Sequence, residues 1–146
     1  MPATDRVYVW GDGTSCDANI GNTGGKQFLA LGRGCETIGT VAHEIGHVLG
    51  FFHTMGRHDR DEYVTANLEN IKQNPFAYRK HTPEENNNYG LPYDYGSIMH
   101  YGQNSMAKTR YPTMVPRDVN YRRTMGSPFI SFIDLSMMNE LYECKG

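Results

Sequence analysis

Apolar positions recur at helical spacing in one stretch above all others. Ile38, Val41, Ala42, Ile45 and Leu49 fall on one side of a helix drawn over residues 37–50. Thr37 stands where a side-chain cap is needed, and Gly50 follows the last periodic residue, where a left-handed conformation ends a helix. This helix is expected to bury its apolar face in a core. Alternating or β-rich runs at Val7-Tyr8-Val9-Trp10 and Gln27-Phe28-Leu29-Ala30-Leu31 predict two strands. A short helix is expected over residues 66–72. Asn86-Asn87-Asn88-Tyr89-Gly90 and Pro92 mark an irregular loop, and Pro112, Pro116, Gly126 and Pro128 break the following stretch into extended pieces. Ser131-Phe132-Ile133-Asp134 resembles a capping box, and a last helix runs from there to about Tyr142 with Ile133, Met137, Met138 and Leu141 inward.

The polar side of the first helix carries the chemistry. His43 and His47 are four residues apart, so they project within about 40° of each other and can share one metal ion. Their direction is roughly opposite the apolar stripe. Glu44 follows His43 by about 100°, beside such an ion and not on it. After the turn at Gly50 the chain can bring His53 back as a third ligand. Three neutral imidazoles with one open position are the ligand set of a catalytic zinc site, whereas structural sites close all four positions, often with cysteines. Glu44 is then placed to take a proton from the zinc-activated water. The whole set, His43-Glu44-x-x-His47-x-x-Gly50-x-x-His53, arises by chance about once in 10⁷ start positions at background residue usage.

Further along stands Ser97-Ile98-Met99-His100-Tyr101. An extended zinc motif followed by a methionine turn resembles the metzincin clan of metalloproteases. The form Ser-x-Met-His-Tyr, with Arg57-x-Asp59-Arg60-Asp61 after the third histidine, is similar to the astacin family in particular. The resemblance runs over nearly the whole chain and implies an α+β metzincin-like fold: part of an upper sheet, the zinc helix, an irregular lower half with the methionine turn, and a C-terminal helix. It implies Zn²⁺ as cofactor, Met99 as a hydrophobic base under the metal, and Tyr101 as a ligand at rest that moves to stabilise the transition state. His100 reads as a support residue. The charged cluster from Arg57 to Glu62 is either a solvated loop or a set of buried ion pairs.

By the same resemblance Cys16 and Cys35, flanking a Gly-rich hairpin, form the family's local disulfide, which would be worth about 3 kcal/mol. The alternative is three reduced thiols. Cys144 is left over, because the family's last cysteine pairs far upstream and no such residue exists here. The expectation is a single peptidase domain over residues 1–146, incomplete on its N-terminal side, with a preceding segment or propeptide missing. The sequence departs from the family at Thr54, where many members carry a glutamate that binds the processed N-terminal ammonium. An acidic preference after the cleaved bond is common in the family, and the segment that walls that pocket includes Arg117 here, beside Asp118.

Composition narrows the function classes. A formal net charge of −2 gives no general attraction to nucleic acid. No apolar run approaches membrane-spanning length. Mean hydropathy is −0.61, and 16 glycines suggest a loop-rich domain. The first residues lack the apolar core of a signal peptide, yet the cysteines and the resemblance imply secretion. The expected function is a secreted zinc endopeptidase acting on protein or peptide substrates. The alternatives are a non-catalytic zinc-binding or inactive astacin-like protein, and an extracellular interaction module, for which Glu44 would have no use.

Overall fold

The structure, a computed structural model, describes residues 3–72 and 74–144. The chain forms two compact units, Met1–Phe52 and His53–Gly146.

In the first unit a three-stranded sheet has the order β1-β3-β2, with β1 at Arg6–Trp10, β2 at Cys16–Ala18 and β3 at Lys26–Leu31. The two predicted strands are β1 and β3, and they run parallel, with Tyr8 opposite Phe28. β2 pairs antiparallel with β3. Alternation along β3 sets the faces: Gln27 and Leu29 are buried, while Lys26 and Phe28 are exposed. The buried Gln27 amide is satisfied, donating to the Gly21 carbonyl (2.9 Å) and accepting from Thr23 N (3.3 Å). On the outer face the Lys26 ammonium lies 3.9 Å from the Tyr8 ring centroid, a cation–π contact. Cys16 and Cys35 are joined by a disulfide, which ties β2 to the residues just before the helix. Gly32 is required between them, because a Cβ there would meet the Gly13 carbonyl oxygen at 2.7 Å.

Helix α1 spans Ile38–Val48 and begins as the sequence predicts: Thr37 Oγ1 accepts from Thr40 N at 3.1 Å. Its face is the first correction. Of the apolar stripe expected in the core, Ile38 (89 %) and Ile45 (41 %) are exposed and Val41, Ala42 and Leu49 are only half-buried, while the buried residues are Glu44, Gly46 and His47. Periodicity identifies a stripe of like side chains, but burial depends on which element lies against it. β2 and β3 are the strands packed on α1, and Asp17 of β2 is close enough to Glu44 to act on its charge. The flank that carries Glu44 and His47 is therefore the more covered one.

The second unit has little regular structure. β4 (Val64–Ala66) pairs antiparallel with β5 (Met114–Pro116), and α2 spans Phe132–Leu141. The helix expected over residues 66–72 is not formed; β4 ends at Ala66 and a single 3₁₀ turn covers Leu68–Asn70. A short β-branched run, Val64-Thr65, found a strand partner instead. α2 begins with a full capping box between Ser131 and Asp134. Ile133, Met137 and Met138 are half-buried as expected, but Leu141 is exposed, and Asp134 is the helix residue that is buried.

Met55, Val64, Ile71, Tyr78, Tyr93, Tyr95, Met114 and Met125 make the core of this unit. Each fully buried aliphatic or methionine side chain contributes roughly 1.5–3 kcal/mol relative to exposure. The core tyrosines keep their hydroxyls bonded: Tyr78 donates to the Ser105 carbonyl (2.6 Å) and Tyr95 to that of Tyr63 (3.0 Å). Of the charged cluster, Arg57 and Arg60 are buried. Arg57 pairs with both oxygens of Asp59 (2.9 and 2.7 Å) and donates to the Leu91 and Pro92 carbonyls. Burial alone would raise the Asp59 pKa, but the hydrogen bonds and charge of Arg57 hold it below the usual carboxylate range. Arg60 donates to the carbonyls of Met55 and Tyr78. The cluster is thus partly a buried brace and partly a solvated loop.

Peptide mapping without reduction should recover Cys16 linked to Cys35 and Cys144 as a free thiol, the state in which they are found. Cys35→Ser should cost about 3 kcal/mol by reopening the loop. A Cys144 link to either of the other two would overturn this pairing.

Candidate metal centre

The end of α1 builds the centre. Gly50 sits at φ +103°, a conformation that L side chains rarely adopt. Around it Gly50 N donates to the His47 carbonyl and Phe51 N to the Gly46 carbonyl, both at 2.9 Å. These are the two bonds of a Schellman motif, and they reverse the chain directly after the helix. His53 is returned by that reversal. One ring nitrogen from each of His43, His47 and His53 lies within 4.8 Å of the others.

Hydrogen bonds and burial set the protonation state of the gathered side chains. His47 Nδ1 is 2.7 Å from the Phe51 carbonyl oxygen. A carbonyl only accepts, so Nδ1 carries the proton and Nε2 is left with its lone pair. Burial lowers the His47 pKa to about 4, against the opposing pull of the Phe51 carbonyl, so the ring is neutral at physiological pH. Glu44 is 5 % exposed, and its Oε2 is buried with no hydrogen-bond partner. Burial first, and then the charge of Asp17, raises its pKa to about 7. A buried carboxylate oxygen with no donor, on the helix that presents two of three gathered imidazoles, fits a divalent cation and a water. The structure thus brings the three histidines of the motif together and buries the glutamate that stands between the first two.

The methionine turn belongs to the second unit. The Met99 side chain is buried, and its carbonyl accepts from Thr54 N at 3.1 Å, so the turn is tied to the residue that follows His53. The Tyr101 ring packs on the His53 ring with centroids 4.4 Å apart and on Tyr78 at 5.6 Å. His100 is buried close by: Nδ1 donates to the Tyr101 carbonyl (2.7 Å), and Nε2 accepts from the Tyr93 hydroxyl (2.8 Å). Burial lowers its pKa to about 4. The sequence suggests His100 as a support residue, but nothing local reveals Tyr93 as its partner. Thr54, the departure from the family pattern, donates its hydroxyl to Ser97 at 2.9 Å. Asp134 lies in the same network, and sequence reasoning placed it only as a helix cap.

Arg117 lies just beyond β5 and is exposed. Its Nε donates to the Asp61 carbonyl at 2.7 Å. The Asp118 side chain, its neighbour in sequence, accepts from Asn120 N at 2.9 Å and caps a 3₁₀ turn. Among the described residues, no helix is long and apolar enough to cross a membrane.

Comparison with known proteins agrees with this geometry. Zinc metalloproteinase nas-31 of Caenorhabditis elegans is 50 % identical over 144 residues, covering 98 % of this chain and 23 % of that protein. Zinc metalloproteinase nas-32 of the same organism is 40 % identical, again over 98 % of this chain and 22 % of its own length. The chain thus spans about a quarter or less of these curated relatives. Among solved structures, high choriolytic enzyme 1, a hatching enzyme zinc-protease from Oryzias latipes, superposes with a TM-score of 0.91 at 36 % identity, over 99 % of this chain and 72 % of that one. The fold is accordingly α+β and metzincin-like. The model of the Astacin peptidase family matches residues 1–143, and the chain belongs to that family.

Proposed function

We propose that this chain is the catalytic part of a secreted zinc metalloendopeptidase, with both units working as one peptidase domain on protein or peptide substrates. The observation that carries the reading is the buried, unpartnered Oε2 of Glu44 in a chain that gathers three histidines. His43, His47 and His53 would hold the ion. Zinc held there would supply Lewis acidity toward a water and the substrate carbonyl.

The remaining steps are carried by the chain's own groups. Glu44 Oε2 takes the proton of the attacking water and delivers it to the departing amine nitrogen. A pKa raised toward neutrality suits both halves of that transfer. His47 keeps a fixed tautomer through Phe51, so its Nε2 needs no change of protonation to face the ion. Tyr101, packed on His53, offers a phenol to the carbonyl oxygen as negative charge develops there. Export to an oxidising compartment is supported by the Cys16–Cys35 bond.

Glu44→Gln should retain one zinc per chain and lose about 10²–10⁴-fold in casein hydrolysis, since an amide cannot take the proton. Substantial turnover by this variant would refute the assignment. Zinc uptake with no chelator-sensitive hydrolysis by the unaltered chain would favour the non-catalytic zinc-binding reading.

Tyr101→Phe should keep zinc and lower kcat about 10²-fold with little change in KM, because the lost donor acts mainly in the transition state. A change confined to KM would make Tyr101 a binding residue.

Arg117 is proposed as the cation that receives an acidic residue after the cleaved bond. Its exposure and the backbone anchor of its Nε support that reading. Peptides acidic at that position should be cut faster than alanine counterparts, and Arg117→Ala should erase the difference. An unchanged preference in library profiling would remove Arg117 from the pocket.

A further inference from the structure

The loop that carries the methionine turn lies outside any helix or strand, yet Ser97 and Met99 are buried. The Ser97 hydroxyl is the hub of the bonds that hold it. A serine Oγ has one proton and two lone pairs. Ser97 uses all three: it donates to Asp134 Oδ1 (2.6 Å), accepts from Met99 N (3.0 Å) and accepts from Thr54 Oγ1 (2.9 Å). The other oxygen of Asp134 accepts from Ile98 N and Ser131 N, both at 2.9 Å. Asp134 is 7 % exposed and sits on the first turn of α2, where the helix dipole favours negative charge. Asp94 completes the frame, accepting from Gly96 N (2.8 Å) and from the Ser131 hydroxyl.

The network therefore has two ends. One is the capped start of α2. The other is Thr54, bonded covalently to His53 and hydrogen-bonded to Met99 through its own backbone N–H. We propose that Asp134 is the positioning residue for the His53 side of the metal centre: acting through Ser97 and Thr54, it fixes the backbone that aims the third ligand and the turn that carries Tyr101. Thr54 takes part as a hydroxyl donor, a role that a carboxylate at that position would not perform. The inference rests on the reading of His53 as a zinc ligand. It adds that the ligand's rigidity comes from a helix cap far along the chain.

The test is zinc release from the loaded 146-residue chain into excess chelator, with the absorption spectrum of the cobalt-substituted protein as a second signal. Thr54→Val and Ser97→Ala should each speed release on the order of 10-fold, the usual scale for removing a bond behind a metal ligand. Each should also shift the cobalt ligand-field bands. Thr54→Ser should restore both signals. Asp134→Ala should match them, and pairing it with Thr54→Val should add less than the product of the single effects. Should Asp134→Ala fail to fold through loss of its cap, the Thr54 and Ser97 variants decide alone, because neither residue caps an α-helix. Val64→Ala, a core change outside the network, should lower Tm and leave release unchanged. Wild-type release rates in folded Thr54→Val and Ser97→Ala would overturn the proposal, as would equal acceleration in Val64→Ala. A wild-type chain that takes up no zinc would overturn the ligand assignment as well.

Discussion

His43 and His47 use up the one helical direction that two ligands can share, so a third histidine must arrive from outside the helix. The gathered triad thus depends on how abruptly the chain leaves α1. Gly50 supplies the left-handed turn, and the bonds from Gly50 N and Phe51 N close off the last helical carbonyls. The same few residues deliver the Phe51 carbonyl to His47 Nδ1, which leaves the opposite nitrogen of that ring for a metal. Helix termination, delivery of the third histidine and tautomer choice are one local event.

What was legible in the sequence was what is encoded within a few residues. Thr37, Gly50, the Ser131–Asp134 box and the histidine spacing all act over less than three helical turns, and the structure has each of them. The faces of α1 were not legible, because a stripe such as Ile38 and Ile45 says nothing about which strand will lie where. The Val64–Ala66 strand was missed for the same reason: its partner, Met114–Pro116, is distant in sequence. The motif residues of the site could be read, but the buried frame behind them could not. Tyr93 behind His100, and Asp134 behind Ser97, are joined to their partners only by folding.

The second unit shows how a chain with little ladder structure satisfies its backbone. Carbonyls that a sheet would have paired are met by side chains instead. Arg57 and Arg60 reach four of them, and Tyr78, Tyr95 and Asn70 reach others. Arginine suits this task because it offers several donors in a fixed fork and is never deprotonated. The cost is that such braces are specific to one arrangement: a loop shifted by one residue would strand both the guanidinium and the carbonyl. This offers a physical reason for so many charged and aromatic residues in a core that holds few aliphatic ones.

The uneven placement of aromatic rings has an optical consequence. The chain has one tryptophan, Trp10, which is partly exposed on β1 with its ring 6.1 Å from that of Tyr8. Tryptophan emission consequently originates in the first unit. The stacked pairs Tyr63–Tyr93 and Tyr95–Tyr121 lie in the second. Fixed, asymmetric tyrosine stacks of this kind give near-ultraviolet dichroism that vanishes when packing is lost. The two signals thus have separate origins in the chain, and their melting curves separate if the two units unfold independently with different stabilities.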